Sequence, residues 1–230
     1  MSVPLDRPTV AGMIDHTLLA PTATTEEVIA LCHEGAELGV AAVCVSPSRL
    51  PLAVPPDELG GVGVAAVVGF PSGAHTPRAK AREASDCLAA GATEIDMVID
   101  LGAAAAGQWE VVEAGVATVH RALEGRALLK VIIESAVLDL LAPDAIERAC
   151  AAAESAGAEL VKTSTGFHPA GGATVDAVTR MRAAVGDRLG VKASGGIRDW
   201  ATAVAMIDAG ASRLGCSATR AILDGAGGAP

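Results

Sequence analysis

Tyrosine is absent from this 230-residue chain, and phenylalanine and tryptophan supply two residues each. With aromatics at 2% and hydrophobic residues at 51%, the core has to be built from Ala, Val, Leu and Ile. Aliphatic side chains of that kind suit parallel strands sealed on both faces by Ala-rich helices. Positive charge is also short: 17 Lys and Arg face 27 Asp and Glu, a formal net charge of −10. Such a field repels polyanions, which excludes nucleic acid and anionic membrane surfaces as partners. An anionic metabolite has to be held by local geometry instead. The five cysteines, Cys32, Cys44, Cys87, Cys150 and Cys216, are odd in number and contain no C-x-x-C pair. That excludes a disulfide framework or a zinc site and points to a reducing compartment. His16, His33, His75, His120 and His168 show no paired spacing, so no metal is expected. No 18-residue stretch stays strongly apolar without charge or turn residues, and Met1 to Val10 lacks a basic-then-apolar leader pattern. The expectation is a cytoplasmic protein without a membrane span.

What is present is an internal echo. An Ala-rich helical segment ends in Gly and runs at once into a short apolar stretch. It reads Glu37-Leu-Gly-Val-Ala-Ala-Val-Cys44, Ala90-Gly-Ala-Thr-Glu-Ile-Asp96, Ala156-Gly-Ala-Glu-Leu-Val-Lys162 and Ala209-Gly-Ala-Ser-Arg-Leu-Gly215. Glycine suits the left-handed residue after a helix end, and the residues beyond it suit a tight helix-to-strand loop. Four copies mean βα alternation. Filling the gaps predicts strands near 11–16, 40–45, 63–69, 94–99, 128–134, 159–163, 189–193 and 212–215. Helical patterns fall near 25–38, 78–90, 109–123, 143–156, 173–184 and 199–208, with a short one from 217. Thr24-Thr25-Glu26-Glu27 and Pro143-Asp144 read as helix starts. The segment Ser48 to Leu59, entered through Pro47 and holding Pro51, Pro55 and Pro56, allows only a broken helix. Reactive or phosphate-friendly residues end strands four, six, seven and eight, which is how a barrel mouth collects a site; an open sheet would gather them at one switch point. The reading is an α/β protein, a (β/α)8 TIM barrel forming one domain over residues 1–230.

Lysine is scarcer than the charge balance requires. There are four, Lys80, Lys130, Lys162 and Lys192, against thirteen arginines, and three of the four fall in strand patterns. Burying an unpaired ammonium costs several kcal/mol or forces it neutral. A chain that avoids lysine elsewhere yet places it in its sheet is using the amine. Lys162, in Leu160-Val-Lys-Thr-Ser-Thr-Gly166, and Lys192, in Gly190-Val-Lys-Ala-Ser-Gly-Gly196, end adjacent strands. A free lysine, with a pKa of about 10.4, is neutral in about 0.04% of molecules at pH 7. A second cation and burial both raise that fraction. Lys162 as nucleophile with Lys192 as its electrostatic partner is the economical assignment, with the reverse left open. On the fourth strand Glu94, Asp96, Val98 and Asp100 share one face by alternation, and Asp96 is placed to move protons during carbinolamine formation and breakdown.

At these residues the sequence resembles the deoxyribose-phosphate aldolase family of class I aldolases. The likeness runs through Ile14-Asp-His-Thr-Leu-Leu19, Val43-Cys-Val-Ser-Pro47, Gly69-Phe-Pro-Ser-Gly73, Glu94-Ile-Asp-Met-Val98, Lys130-Val-Ile-Ile-Glu134 and the two lysine motifs. The resemblance implies reversible, cofactor-free cleavage of 2-deoxy-D-ribose 5-phosphate to D-glyceraldehyde 3-phosphate and acetaldehyde. It implies that Lys162 forms an imine, that Lys192 perturbs it and that Asp96 moves protons. It also implies that Asp15, Lys130 and Cys44 line the same pocket, and it suggests a homodimer. The chain departs from the family pattern at Ala20, at Ala103-Ala-Ala-Ala106-Gly107 and at Ile133-Glu-Ser-Ala136. It also lacks the C-terminal tyrosine that some members use in enolisation. Other imine-forming barrels, such as transaldolases and keto-acid aldolases, are the enzymatic alternative, and a barrel that only binds a sugar phosphate is the non-enzymatic one.

Phosphate binding in barrels often uses the loops after strands seven and eight and the start of a short helix. Here that predicts a cradle from Ser194-Gly195-Gly196, with Gly215 and Ser217 after strand eight and Gly166 completing it. Ser217 is expected to cap the short final helix.

Overall fold

Eight short strands alternate with helices, and each pairs in parallel with the next in chain order until the eighth closes on the first. The computed structural model describes residues 5–227. The strands are β1 (Ile14–Leu18), β2 (Ala42–Val45), β3 (Gly63–Val68), β4 (Glu94–Val98), β5 (Leu128–Ile132), β6 (Leu160–Lys162), β7 (Gly190–Ser194) and β8 (Arg213–Cys216). The helices are α1 (Arg7–Ala11), α2 (Thr25–Leu38), α3 (Pro77–Ala89), α4 (Leu101–Ala105) and α5 (Trp109–Leu123), then α6 (Ser135–Leu141), α7 (Ala145–Ser155), α8 (Val175–Val185), α9 (Trp200–Asp208) and α10 (Thr219–Asp224). The closed barrel is the fold expected from the βα echo, although β1 starts at Ile14 instead of residue 11. Pro47–Arg49 and Pro56–Leu59 form only 3-10 turns, as the prolines require.

Local chemistry sets the helix limits. Thr24 Oγ1 accepts from Glu27 N at 3.2 Å while Glu27 Oε2 accepts from Thr24 N at 2.7 Å, a reciprocal cap that opens α2. Gly39, at φ 68°, closes the same helix in the left-handed region. Asp144 precedes α7, but its side chain makes no capping hydrogen bond. Asp100 does not continue the inward face of β4. It lies past the strand end and caps α4, accepting from Ala103 N at 3.0 Å.

The two strand faces carry different chemistry. Outward residues such as Val43, Ile95, Met97, Leu129, Val131, Val161 and Val191 are buried under the helices. The inward residues begin with Asp15, Ala42, Cys44, Ala65 and Val67 on β1 to β3. They continue with Glu94, Asp96, Lys130, Lys162, Lys192 and Arg213 on β4 to β8. The barrel interior is therefore aliphatic on one side and ionic on the other. Small side chains facing long ones fill such a space without voids.

Candidate active site

The register of the sheet places Asp96 beside Lys130 and Lys162 beside Lys192. Asp96 is the hub. Its Oδ1 accepts from Lys130 Nζ at 2.8 Å, and its Oδ2 accepts from both Lys162 Nζ and Lys192 Nζ at 2.7 Å. Lys130 also meets Glu94 Oε2 at 2.5 Å and Asp15 Oδ2 at 3.2 Å. Lys192 donates to Asp15, whose other oxygen takes Arg213 Nη1 at 2.7 Å. Three carboxylates thus face four cations in a largely buried cluster.

Of the three lysines in the cluster, only Lys162 is pulled below the usual lysine range. Burial pulls the Lys162 amine below the usual lysine range; Asp96 opposes this and Lys192 reinforces it. Burial acts on Lys192 in the same sense, but Asp15 and Asp96 outweigh it and raise its pKa. Lys130 is likewise raised, because Asp96, Asp15 and Glu94 outweigh its burial. Burial alone would raise Asp15, yet Lys192, Lys130 and Arg213 hold it at about 2. Asp96 lies well below the carboxylate range because its three lysines overcome the burial cost.

Above this cluster lies a cavity of about 440 Å³, lined from the exits of β6, β7, β8 and β1. Lys162, read from sequence as the nucleophile, lines the cavity and Lys192 does not. Asp15, Cys44 and Lys130, expected to line the pocket, are wholly buried beneath it. Burial, followed by Asp96, pushes the Cys44 thiol up, away from thiolate character.

Gly166, Gly195, Gly196, Gly215 and Ser217 all line the cavity. The first three have φ of 82°, 88° and 86°, a backbone conformation in which a side chain would be strained. A Cβ at Gly215 would sit 2.1 Å from Ser194 Oγ, so a larger residue there would have to displace the Ser194 hydroxyl. The expected role of Ser217 as a helix cap is corrected. Ala218 holds the N-cap position of α10 and no side chain caps it, because the chain turns one residue later than the sequence pattern implies.

The roles of two residues, Arg198 and Glu134, escaped the sequence reading, and Ser194, expected in the phosphate loop, shows a further feature. Arg198 lines the cavity and makes no ion pair among the described residues; in sequence it reads as an ordinary charged loop residue. Ser194 Oγ is buried in the cavity wall with no hydrogen-bond partner. Glu134, buried and at φ 52°, accepts from Thr165 N and ties the loop after β6 to β5. Lys80 adds a fourth buried lysine: it is 3% exposed, Nζ donates to Val98 O at 2.7 Å, and burial lowers its pKa to about 8.

Residues 9–225 match the pattern of the DeoC/LacD family aldolases. The chain belongs to this family. It is 59% identical to the deoxyribose-phosphate aldolase of Mycolicibacterium paratuberculosis over 222 residues, 96% of this chain and 98% of that one. The corresponding enzyme of Mycobacterium tuberculosis is 59% identical over 220 residues, 95% of this chain and 96% of that one. Among solved structures, the tetrameric deoxyribose phosphate aldolase of Aeropyrum pernix superposes with a TM-score of 0.85 at 34% identity, covering 94% of this chain and 91% of that one. The family matches the resemblance carried by the lysine motifs. No helix among the described residues is long and apolar enough to cross a membrane.

Proposed function

We propose that this aldolase cleaves 2-deoxy-D-ribose 5-phosphate reversibly to D-glyceraldehyde 3-phosphate and acetaldehyde through an imine on Lys162. The observation that carries the assignment is the position of Lys162: it is the only lysine of the ionic cluster that reaches the cavity, and its amine is the one held below the ordinary range. Its neutral nitrogen adds to the C1 aldehyde of the open-chain sugar, giving a carbinolamine. Asp96, bonded to both Lys162 and Lys192, passes the proton that lets water leave. The C3 hydroxyl then loses its proton and the C2–C3 bond breaks. Its electron pair becomes the C1=C2 bond of an enamine while the iminium π pair returns to the Lys162 nitrogen, and glyceraldehyde 3-phosphate departs. Protonation at C2 and hydrolysis release acetaldehyde and restore the amine.

Acetaldehyde and borohydride are expected to leave an ethyl group on the peptide that carries Lys162, read by mass spectrometry. A label confined to Lys80 or the N-terminal amine overturns the assignment, and adduct-free binding of the sugar phosphate would favour a binding protein. Cytoplasmic operation as a homodimer belongs to the same proposal, the dimer being checked by light scattering on the purified protein.

The phosphate end is assigned to the glycine loops, with Arg198 supplying the positive charge. Ser217→Asp or Gly196→Asp is expected to raise KM for deoxyribose 5-phosphate at least about tenfold, since a like charge repels the ligand. Unphosphorylated deoxyribose is expected to change far less. Equal losses on both substrates would remove the phosphate from these loops.

A further inference from the structure

The two phenylalanines of the chain meet each other. Phe70 follows β3 and Phe167 follows β6, and their rings stand edge to face with centroids 5.2 Å apart and planes at 82°. In the closed barrel, β4 and β5 lie between those two exits. The pair therefore spans the sector that holds Asp96 and Lys130, both sealed from solvent. The open cavity occupies the rest of the mouth, from the exit of β6 round to that of β1.

Each ring has a second attachment. Phe167 lines the cavity that Lys162 reaches, although 47% of its surface is exposed. Phe70 packs on the aliphatic side of the barrel against Leu19, Ala42, Cys44, Ala65 and Val67, and Leu19 also borders the cavity. The cavity consequently has a polar wall, carrying Ser194, Arg198 and the glycine loops, and an apolar wall of Leu19 and Phe167 braced by Phe70.

We propose that Phe70 and Phe167 act as one wall that sets the size of the aldehyde admitted to Lys162. This rests on Lys162 being the imine-forming residue. The polar wall holds the phosphorylated product, which leaves the apolar wall for the hydrocarbon end of the donor aldehyde. Acetaldehyde brings one methyl group to that wall, and each further methylene has to displace a ring.

Competitive trapping tests the wall directly. The Lys162 amine nitrogen adds to the aldehyde carbon and water leaves. The C=N bond then takes a hydride from borohydride and a proton from water, fixing an N-alkyl lysine. With acetaldehyde and butanal at equal concentration, the butyl-to-ethyl ratio on the Lys162 peptide reports donor size within each sample, whatever fraction of a variant is folded. The wild-type protein is expected to give mostly ethyl product. Phe70→Ala and Phe167→Ala are each expected to raise the ratio about tenfold or more, since a pocket discriminates roughly tenfold or better per methylene. The Leu variants are expected to fall between. Because the rings form one wall, the double Ala variant is expected to gain little beyond either single one. An unchanged ratio in both Ala variants, with Lys162 still labelled, overturns the proposal, and so do fully multiplicative gains, which would mean two separate contacts. If neither aldehyde labels Lys162 in the wild-type protein, the imine assignment has failed and the wall falls with it.

Discussion

Lys162→Met is expected to lose at least about 10⁴-fold in turnover, together with every trace of borohydride-trapped adduct, because no other group supplies the nucleophile. Lys192→Met is expected to fail differently. It removes a cation that lies beside Lys162 and shares the same Asp96 oxygen. Lys192 helps to hold the Lys162 amine down, so its loss lets Asp96 act on Lys162 alone and the Lys162 pKa rises. Imine formation needs the unprotonated amine, so the rising limb of the pH–rate profile moves to higher pH. Each unit of that move lowers the neutral fraction at neutral pH about tenfold. Turnover at high pH is expected to recover more in Lys192→Met than in Lys162→Met, which has nothing to recover. Rate profiles and trapping on both variants check the pair. An unshifted limb would leave burial alone as the cause of the low Lys162 pKa. Interchanged behaviour would exchange the two roles.

The contrast between these lysines shows where sequence stops. The motifs put both near the ends of adjacent strands. Which of them faces the cavity depends on the stagger of β6 against β7 and β8 and on Ser194 sitting over Gly215, none of which is a local property. The same limit explains Asp15, Cys44 and Lys130: the residues were right for the interior, but depth along a barrel axis has no sequence period. The barrel itself was legible because helix ends at Gly39, Gly91, Gly157 and Gly210 all take positive φ before the next strand. Helices α1, α4 and α6 were not, since five to seven residues hold too little of the 3.6 period to register. Lys80 was missed for a different reason. A lone lysine in an Arg-containing helix reads as solvated, whereas here it turns inward to the β4 carbonyl. The meeting of Phe70 and Phe167 is a long-range contact that closure of the sheet alone creates.

Burial of all four lysines also changes what the surface is made of. Arginine carries the exposed positive charge, as in Arg220 with Glu34 and Glu37 and Arg188 with Glu154. Exposed pairs of that kind contribute little to stability. Asp96 is the opposite case, and its removal is the second large effect expected. Asp96→Asn keeps the shape but takes one charge from the middle of three lysines. Lys130 retains Glu94 and Asp15, and Lys192 retains Asp15, but Lys162 keeps no carboxylate. Breaking a buried pair by removing one partner costs about 3–5 kcal/mol. At about 2–4 °C per kcal/mol for a protein of this size, Tm is expected to fall by roughly 6–20 °C. The acid dependence separates charge from packing. The folded pKa of Asp96 lies well below its unfolded value of about 3.9. Its contribution is therefore complete above that unfolded value and is lost as pH falls toward the folded pKa. Urea unfolding at pH 7 is expected to show the full gap between wild type and Asp96→Asn, and the gap is expected to narrow below about pH 4. A gap of the same size at both pH values would trace the loss to packing and take the carboxylate charge out of the stability of the barrel.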